Sequence, residues 1–425
     1  MEQKKHEILK AVQSYLLEQA RAPQEETVLY ITTCGKNRRG HVWRTSGRDF
    51  ERAWVKVERY FSKMPELIRW TKIEIQTQTE RVPAEEGIRQ FAQTSRNNYF
   101  SKGVAFKKDG SCSFLPDEIS GNALLTPVKS HKIGVNSAQL QLNLANIKGY
   151  IKRRFDRVIP DVWAYFDDEW ELFDTAGVFV EDGRILPLTE TGYGRGMRQI
   201  TKENQEMFLS EAIEKGTDFL FEQLWEDGKF TYGYYPAYDK QLTGYNSVRH
   251  FSSLYALLET IEYAEKQQTA HSTDELLKKV EKGLDWGLKN LCLAVDGHLY
   301  VGEKGKEGYD LKLGAQAVVV LALAKYETLT GYDFYHEAML NLLEGMHSFI
   351  DEEGRTRHVL REDLSTKEKF RIIYYNGEAL FAIMRAYPLT GDERWLKLGE
   401  RLMDRYVADN YERYHDHWLS YSVNE

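Results

Sequence analysis

The decamer AQAVVVLALA, residues 315–324, is apolar on every face a helix can present apart from Gln316. A helix without a polar side has to be enclosed by other elements. From Ala317 to Ala324 the run is also far too short to span a bilayer, which takes about 20 residues. It reads as a core helix of a globular domain. Two stretches share its grammar, SLYALL at 253–258 and EALFAIM at 378–384. Ahead of each lies a tyrosine beside a polar residue: Tyr245-Asn246, Tyr309-Asp310 and Tyr375-Asn376. Further upstream stands an acidic-glycine turn, WEDG at 225–228, AVDG at 294–297 and IDEEG at 350–354, read as the end of an amphipathic helix. Two of the apolar helices close alike, on YETLTG (326–331) and YPLTG (387–391).

One helical hairpin is being repeated. A fourth copy starts at DERWLKLGERLMDRY (392–406) and runs to YHDHWLSYSVNE (414–425), which stands where YNSVRH (245–250) stands in the first. A unit of this kind cannot bury its apolar face alone, so the units stack, apolar helices inside and amphipathic ones outside. The pattern predicts an α/α toroid, complete or partial, over 202–425. In that geometry each outer-to-inner connection opens at the same end, and the residues just ahead of the inner helices converge on one mouth.

The converging set is Tyr245, Asn246, Arg249 and His250, then Asp310, Lys312 and Gln316, then Tyr375, Asn376 and Glu378, then His415, Asp416, His417 and Trp418. Glu378, Asp416 and Asp310 are the candidate catalytic acids and His250 a candidate proton-transfer group; the others, apart from Gln316 and His415, are candidate substrate-binding residues. Helix N-termini add a partial positive charge that favours anions. A plainer reading stands beside this one. Asn246, Asp310, Asn376 and Asp416 also suit N-caps, and His250 suits a hydrogen-bonded core histidine. Arg249 is read as a buried guanidinium, which needs a carboxylate from the repeat or from a substrate. The HDH triplet at 415–417 has metal-ligand residue types, but side chains two apart diverge on a helix; neither metal nor cofactor is expected.

The first half has a different rhythm. TVLYITT (27–33) is strand-like, residues 50–61 have helical spacing, IEIQTQT (73–79) alternates as a half-buried strand does, a helix is expected near 84–94, and a short strand at 103–106. The chain is therefore divided into an α+β or α/β domain at 1–181, a turn- and glycine-rich linker at 182–201, and the hairpin-repeat domain at 202–425. RNNYF (96–100) and RRF (153–155) are polar-aromatic clusters in the first domain.

Composition narrows the partners. With 65 acidic and 57 basic residues the net charge is -8, so nucleic acid is not an expected partner, and the basic stretch KGYIKRRFDR (148–157) suits the solvated face of a helix. The three scattered cysteines, Cys34, Cys112 and Cys292, make neither a disulfide framework nor a thiolate zinc site. The first 17 residues space their charges as an amphipathic helix does and lack the apolar core of a signal peptide, so the expected location is the cytoplasm, without a membrane span.

The hairpin repeat, GEAL (377–380) opening an inner helix and LTGDERWL (389–396) between helices resemble the α/α-toroid carbohydrate enzymes. That superfamily includes six-hairpin glycosidases, unsaturated uronyl hydrolases, and sugar and uronyl epimerases. The resemblance covers 202–425 and lies in repeat grammar. It implies a glycoside hydrolase or sugar/uronic-acid epimerase acting on a cell-surface or storage saccharide. Glycosidic cleavage needs one carboxylic acid to protonate the leaving oxygen and a carboxylate as base or nucleophile, roles for which Glu378 and Asp416 are favoured. An epimerase would use His250 or His417 for proton transfer, with Arg249 holding a carboxylate. The chain departs from the family in lacking a WGRGNGW-like uronyl hydrolase signature and in carrying about three and a half hairpins instead of six. The other readings are a non-catalytic glycan- or protein-binding module and an accessory scaffold with protein partners in a polysaccharide pathway.

Overall fold

The computed structural model describes residues 2–425 apart from 21–25, 36–39, 65–69, 94–99, 122–123, 129–139, 191–193, 198–199, 236–239 and 268–272. Most of RNNYF, and Gly192, fall outside the described residues. The chain divides into two compact units, 1–201 with 234–240, and 202–233 with 241–425. Among the described residues no helix is long and apolar enough to cross a membrane.

The first unit is α+β. Helix α1 (Glu2–Gln19) precedes strands β1 (Thr27–Cys34) and β2 (His41–Gly47), then come α2 (Phe50–Ser62), β3 (Trp70–Pro83), α3 (Ala84–Ala92), β4 (Gly103–Ala105), β5 (Ser113–Phe114), α4 (Leu144–Phe155), β6 (Glu169–Glu181) and β7 (Arg184–Pro187). The strands form one antiparallel sheet in the order β2-β1-β3-β6-β4-β5, with β7 also paired to β6. Against it, Leu9, Val12 and Leu16 of α1 and Trp54, Val57 and Phe61 of α2 pack on Ile31, Ile73 and Val178. Strand β3 departs from the half-buried pattern, because Ile73, Glu74, Ile75 and Gln76 are all buried. Glu74 is tolerated at 0% exposure because Lys72 lies 2.8 Å away, Thr175 Oγ1 donates at 2.8 Å and Arg195 also binds it. Strand β7 (184–187) extends the sheet of this unit, and Arg195 anchors on Glu74 and the Thr175 carbonyl.

The second unit comprises α5 (Gln205–Gln223), α6 (Ser247–Gln267), α7 (Thr273–Leu291), β8 (Cys292–Val295), β9 (His298–Lys304), β10 (Tyr309–Lys312), α8 (Leu313–Thr330), α9 (His336–Met346), β11 (Val359–Leu360), β12 (Thr366–Glu368), α10 (Tyr374–Thr390), α11 (Glu393–Ala408) and α12 (His417–Asn424). Helix α8 is buried continuously from Leu313 to Tyr326, as its sequence requires, and packs between α6 and α10; α10 packs on its other side against α12. These four make one row, in which α12 buries only Ser422. Helices α7, α9 and α11 each bury one stripe against a member of it, while α5 buries only Thr217. The one polar side chain of the AQAVVVLALA run is satisfied in full: Gln316 accepts from the Val301 N–H at 2.8 Å and donates to the carbonyls of Leu299 and Leu342 at 2.8 and 2.7 Å. Helices α8 and α10 stop at Gly331 (φ 70°) and Gly391 (φ 60°), whose N–H groups return to Glu327 and Tyr387.

Two connections differ from the sequence reading. AVDG is no helix end: α7 stops at Leu291, and Asp296-Gly297 form the tip of a hairpin in which Val295 faces His298. Positive φ at both tip residues (47° and 84°) is what a two-residue antiparallel turn demands. The second and third outer-to-inner connections are not irregular loops but share one five-stranded sheet, β8-β9-β10-β11-β12.

The turn glycines also fasten one hairpin to the next. A Cβ on Gly228 would come within 2.1 Å of the Lys282 carbonyl of α7, and one on Gly354 within 2.8 Å of the Arg401 carbonyl of α11, whereas Gly297 has open space. Gly297→Ala is expected to cost about 1–2 kcal/mol for left-handed backbone alone. Gly228→Ala is expected to cost about 1–3 kcal/mol more from the overlap. Urea denaturation of both variants checks the order.

Candidate functional site

Helix α10 opens with Tyr374-Tyr375-Asn376-Gly377-Glu378, and successive residues of this turn meet different neighbours. Glu378 is 5% exposed, makes no hydrogen bond to any described residue, and points its Oε2 toward the first turn of α8. Only a glycine fits there. A Cβ on Gly314 would lie 2.3 Å from that oxygen and 2.2 Å from the Tyr375 ring. Gly377 makes the same allowance for Asp416, whose Oδ2 would sit 2.2 Å from a Cβ. Asp416 is 4% exposed and N-caps α12: its Oδ1 accepts from the Trp418 N–H at 3.0 Å, while its Oδ2 has no conventional hydrogen bond.

Burial sets the protonation of this pair. It pushes the Glu378 carboxyl up to about 8, with a further push from the Asp416 charge, so Glu378 holds its proton at neutral pH. Asp416 is also raised by burial, held back by the amides of Trp418, Gly377 and Leu419 and by His417. One carboxylic acid therefore stands beside a second, more acidic carboxyl group.

Around the pair lies a polar cluster drawn from several connections. Glu303 on β9 accepts from Asn246 Nδ2 at 3.1 Å and from the Ser247 N–H and hydroxyl at 3.0 and 2.7 Å; its other oxygen is bound by Lys312. Burial disfavours the charge of Glu303, but these bonds outweigh it and hold its carboxyl below the usual range. Lys367 donates to Asp310 at 2.6 Å, and Arg371 clasps Glu368 at 2.7 and 2.5 Å. The Tyr375 phenol feels Glu378, Arg371, Glu303 and Glu368 at once and is pushed by burial to about 12. The structure thus brings together Asn246, Asp310, Lys312, Tyr375, Glu378 and Asp416.

Other sequence candidates lie elsewhere. His250 is enclosed by Phe230, Phe251 and Trp286; its Nε2 bonds the Gly283 carbonyl at 2.9 Å and its Nδ1 the Tyr245 hydroxyl at 2.8 Å. Burial holds it down to about 4, so it is neutral with both nitrogens engaged, a core histidine with no free nitrogen for proton transfer. Tyr245 is committed to that contact and to the Phe230 N–H. Arg249 is exposed, not buried: it lies over the Tyr232 ring at 5.3 Å and bonds its hydroxyl at 3.1 Å, so it needs no carboxylate. His417 is exposed against Tyr374, and Trp418 packs on Phe381. Asn376 faces away from Glu378 toward Thr356 and His358.

Sequence reading missed Glu303, Gly314, His358, Glu368 and Arg371. The apolar run LYV (299–301) just after the Asp-Gly turn signals a strand that would have carried Glu303, and a glycine in the first turn of an apolar helix marks Gly314. His358 and Arg371 carry no local signal.

No family model matches the sequence, and no curated protein matches it. Among solved structures, it is similar to a D-mannose isomerase at 17% identity over 48% of this chain and 51% of that one (TM-score 0.35). A family 76 α-mannanase from Bacteroides thetaiotaomicron matches at 14% identity over 48% and 56% (TM-score 0.38). A sugar epimerase from a ruminal bacterium matches at 14% over 46% and 53% (TM-score 0.36). The chain spans about half the length of each of these structures.

The raised Glu378 carboxyl has a thermodynamic signature. The folded state keeps a proton that the unfolded state releases near pH 4.3, so this contribution is complete below that pH and is lost as pH rises toward 8. Glu378→Gln removes the titration. Thermal melts from pH 5 to 9 are expected to show a declining midpoint in the wild type and a flatter profile in the variant.

Proposed function

We propose that the chain is a carbohydrate-active enzyme of glycoside hydrolase or sugar epimerase type, with Glu378 as the proton donor and Asp416 as its carboxylate partner. The observation that carries this reading is the pair itself: two buried carboxyls at neighbouring helix starts, each with an oxygen that no described residue hydrogen-bonds, the first protonated at neutral pH. In glycosidic cleavage Glu378 would give its proton to the leaving oxygen while Asp416, as carboxylate, takes one from water or attacks the sugar carbon. Asp310, Lys312, Asn246 and Tyr375 supply polar contacts for hydroxyls, and Tyr374, His417 and Trp418 supply ring faces. The inner helices α6, α8 and α10 fit part of an α/α toroid.

A saccharide-binding role without turnover is the second reading. It is favoured by the near-complete burial of both acids, at 5% and 4% exposure. An oligosaccharide panel separates the two. Turnover by the wild type, lowered about 10²- to 10⁴-fold in Glu378→Gln and in Asp416→Asn, supports the enzyme. Unchanged turnover in both variants removes the pair from the mechanism, and glycan retention without product supports binding alone.

A further inference from the structure

A cavity of about 260 Å³ opens in the second unit beside the first turn of α10. Asn376 lines it, and two helix positions separate Asn376 from Glu378, a rotation of about 200°. The cavity therefore opens on a different face of α10 from Glu378, although its wall tyrosines Tyr406 and Tyr411 feel the Asp416 charge. Its volume lies below the roughly 300–1,000 Å³ of drug-sized pockets and suits one ring.

The hydrogen-bonding inventory of this cavity is one-sided. Asn376 is 6% exposed, and its Oδ1 accepts from Thr356 Oγ1 at 2.6 Å and His358 Nε2 at 3.0 Å. The Arg371 N–H donates to His358 Nδ1 at 3.0 Å, so the ring proton sits on Nε2 and the amide orientation of Asn376 follows. Its Nδ2 has no partner among the described residues. The wall hydroxyls have already given their protons, Tyr406 to the Asn376 carbonyl at 3.3 Å and Tyr411 to the Ile373 carbonyl at 2.7 Å. Arg405 is paired with Asp409, and Arg355 with Asp351 and Glu353. At the rim, Lys369 has no carboxylate partner, and Arg413 rests on the Tyr414 ring at 4.8 Å and bonds its hydroxyl at 3.0 Å. Donors without a carboxylate partner therefore remain: the Asn376 Nδ2 group and the Lys369 and Arg413 cations, with the Tyr414 hydroxyl beside them. Beside them Phe370 exposes half of its surface next to Tyr414, an apolar face of the kind on which a sugar ring stacks.

We propose that this cavity binds a compact oxyanion carried on a sugar ring, a carboxylate or a sulfate or phosphate ester. The Asn376 N–H that no described residue accepts and the two exposed cations at the rim are donors that such a group can meet with charge-assisted hydrogen bonds. The site goes beyond the proposed reaction and does not require Glu378 or Asp416 to be catalytic.

Calorimetric titration of the full chain at low ionic strength with D-glucuronate, inorganic sulfate and D-glucose tests it. Glucuronate is expected to bind at least tenfold more tightly than glucose and to weaken as salt is added. Sulfate that competes with glucuronate places recognition in the oxyanion; glucuronate binding without competition places it in the carboxylate-bearing ring. Lys369→Ala with Arg413→Ala, both at the surface, is expected to weaken glucuronate at least tenfold. Asn376→Asp, which keeps an acceptor for His358 and Thr356, is expected to do the same at unchanged melting temperature. Glu378→Gln is expected to bind glucuronate like the wild type, so a failed reaction and a failed site are told apart. Equal affinity for glucose and glucuronate, no binding of either anion, or unchanged affinity in the double variant would overturn the proposal.

Discussion

The enclosure of α8 is the constraint on which the second unit rests. A helix that shows water no polar face is stable only between two others, and α6 and α10 supply those walls. Having no polar face, it can admit a polar group only with every bond made. Gln316 meets that condition by tying α8 to β9 and to the end of α9. The same condition is relaxed two residues earlier, where Gly314 leaves a recess that a carboxyl group of the neighbouring helix enters without a partner. Core and candidate site are two outcomes of one close approach between α8 and α10.

That approach also accounts for the chemistry. A carboxyl in water loses its proton near pH 4.3. Glu378 keeps its proton because the surroundings offer neither solvent nor donors, and because the charge it would face is that of Asp416. Asp416 differs in having backbone amides to lean on. Two like residues are thereby made unlike by environment alone, a device suited to dividing acid and base work between them.

Much of the second unit was legible because its signal is collective. AQAVVVLALA, SLYALL and EALFAIM each require burial, and their shared punctuation orders them, so the packing of α8 between α6 and α10 was legible. What stayed hidden depends on tertiary geometry. Arg249 was expected inside because of the apolar helix behind it, yet Tyr232 receives it at the surface. His250 was legible as a histidine at a helix mouth but not as one whose ring nitrogens are already spent on Gly283 and Tyr245. The strands β9 to β12 are short, and what makes them a sheet is pairing between distant connections, which no local pattern announces. In the first unit, burial of Glu74 was unreadable because its partner Arg195 lies 121 residues away.

The junctions between hairpins are not built alike, and this bears on how the array comes apart. The first and third are wedged by Gly228 and Gly354 against a following helix, contacts confined to one neighbour. The middle one lacks that wedge at Gly297 but is laced by main-chain bonds running from β9 through β10 to β11. Stacked arrays unravel where the coupling between adjacent members is local. The central hairpins therefore form a single cooperative block, and slow amide exchange with solvent belongs in β9, β10 and α8, with earlier release toward α5 and α12.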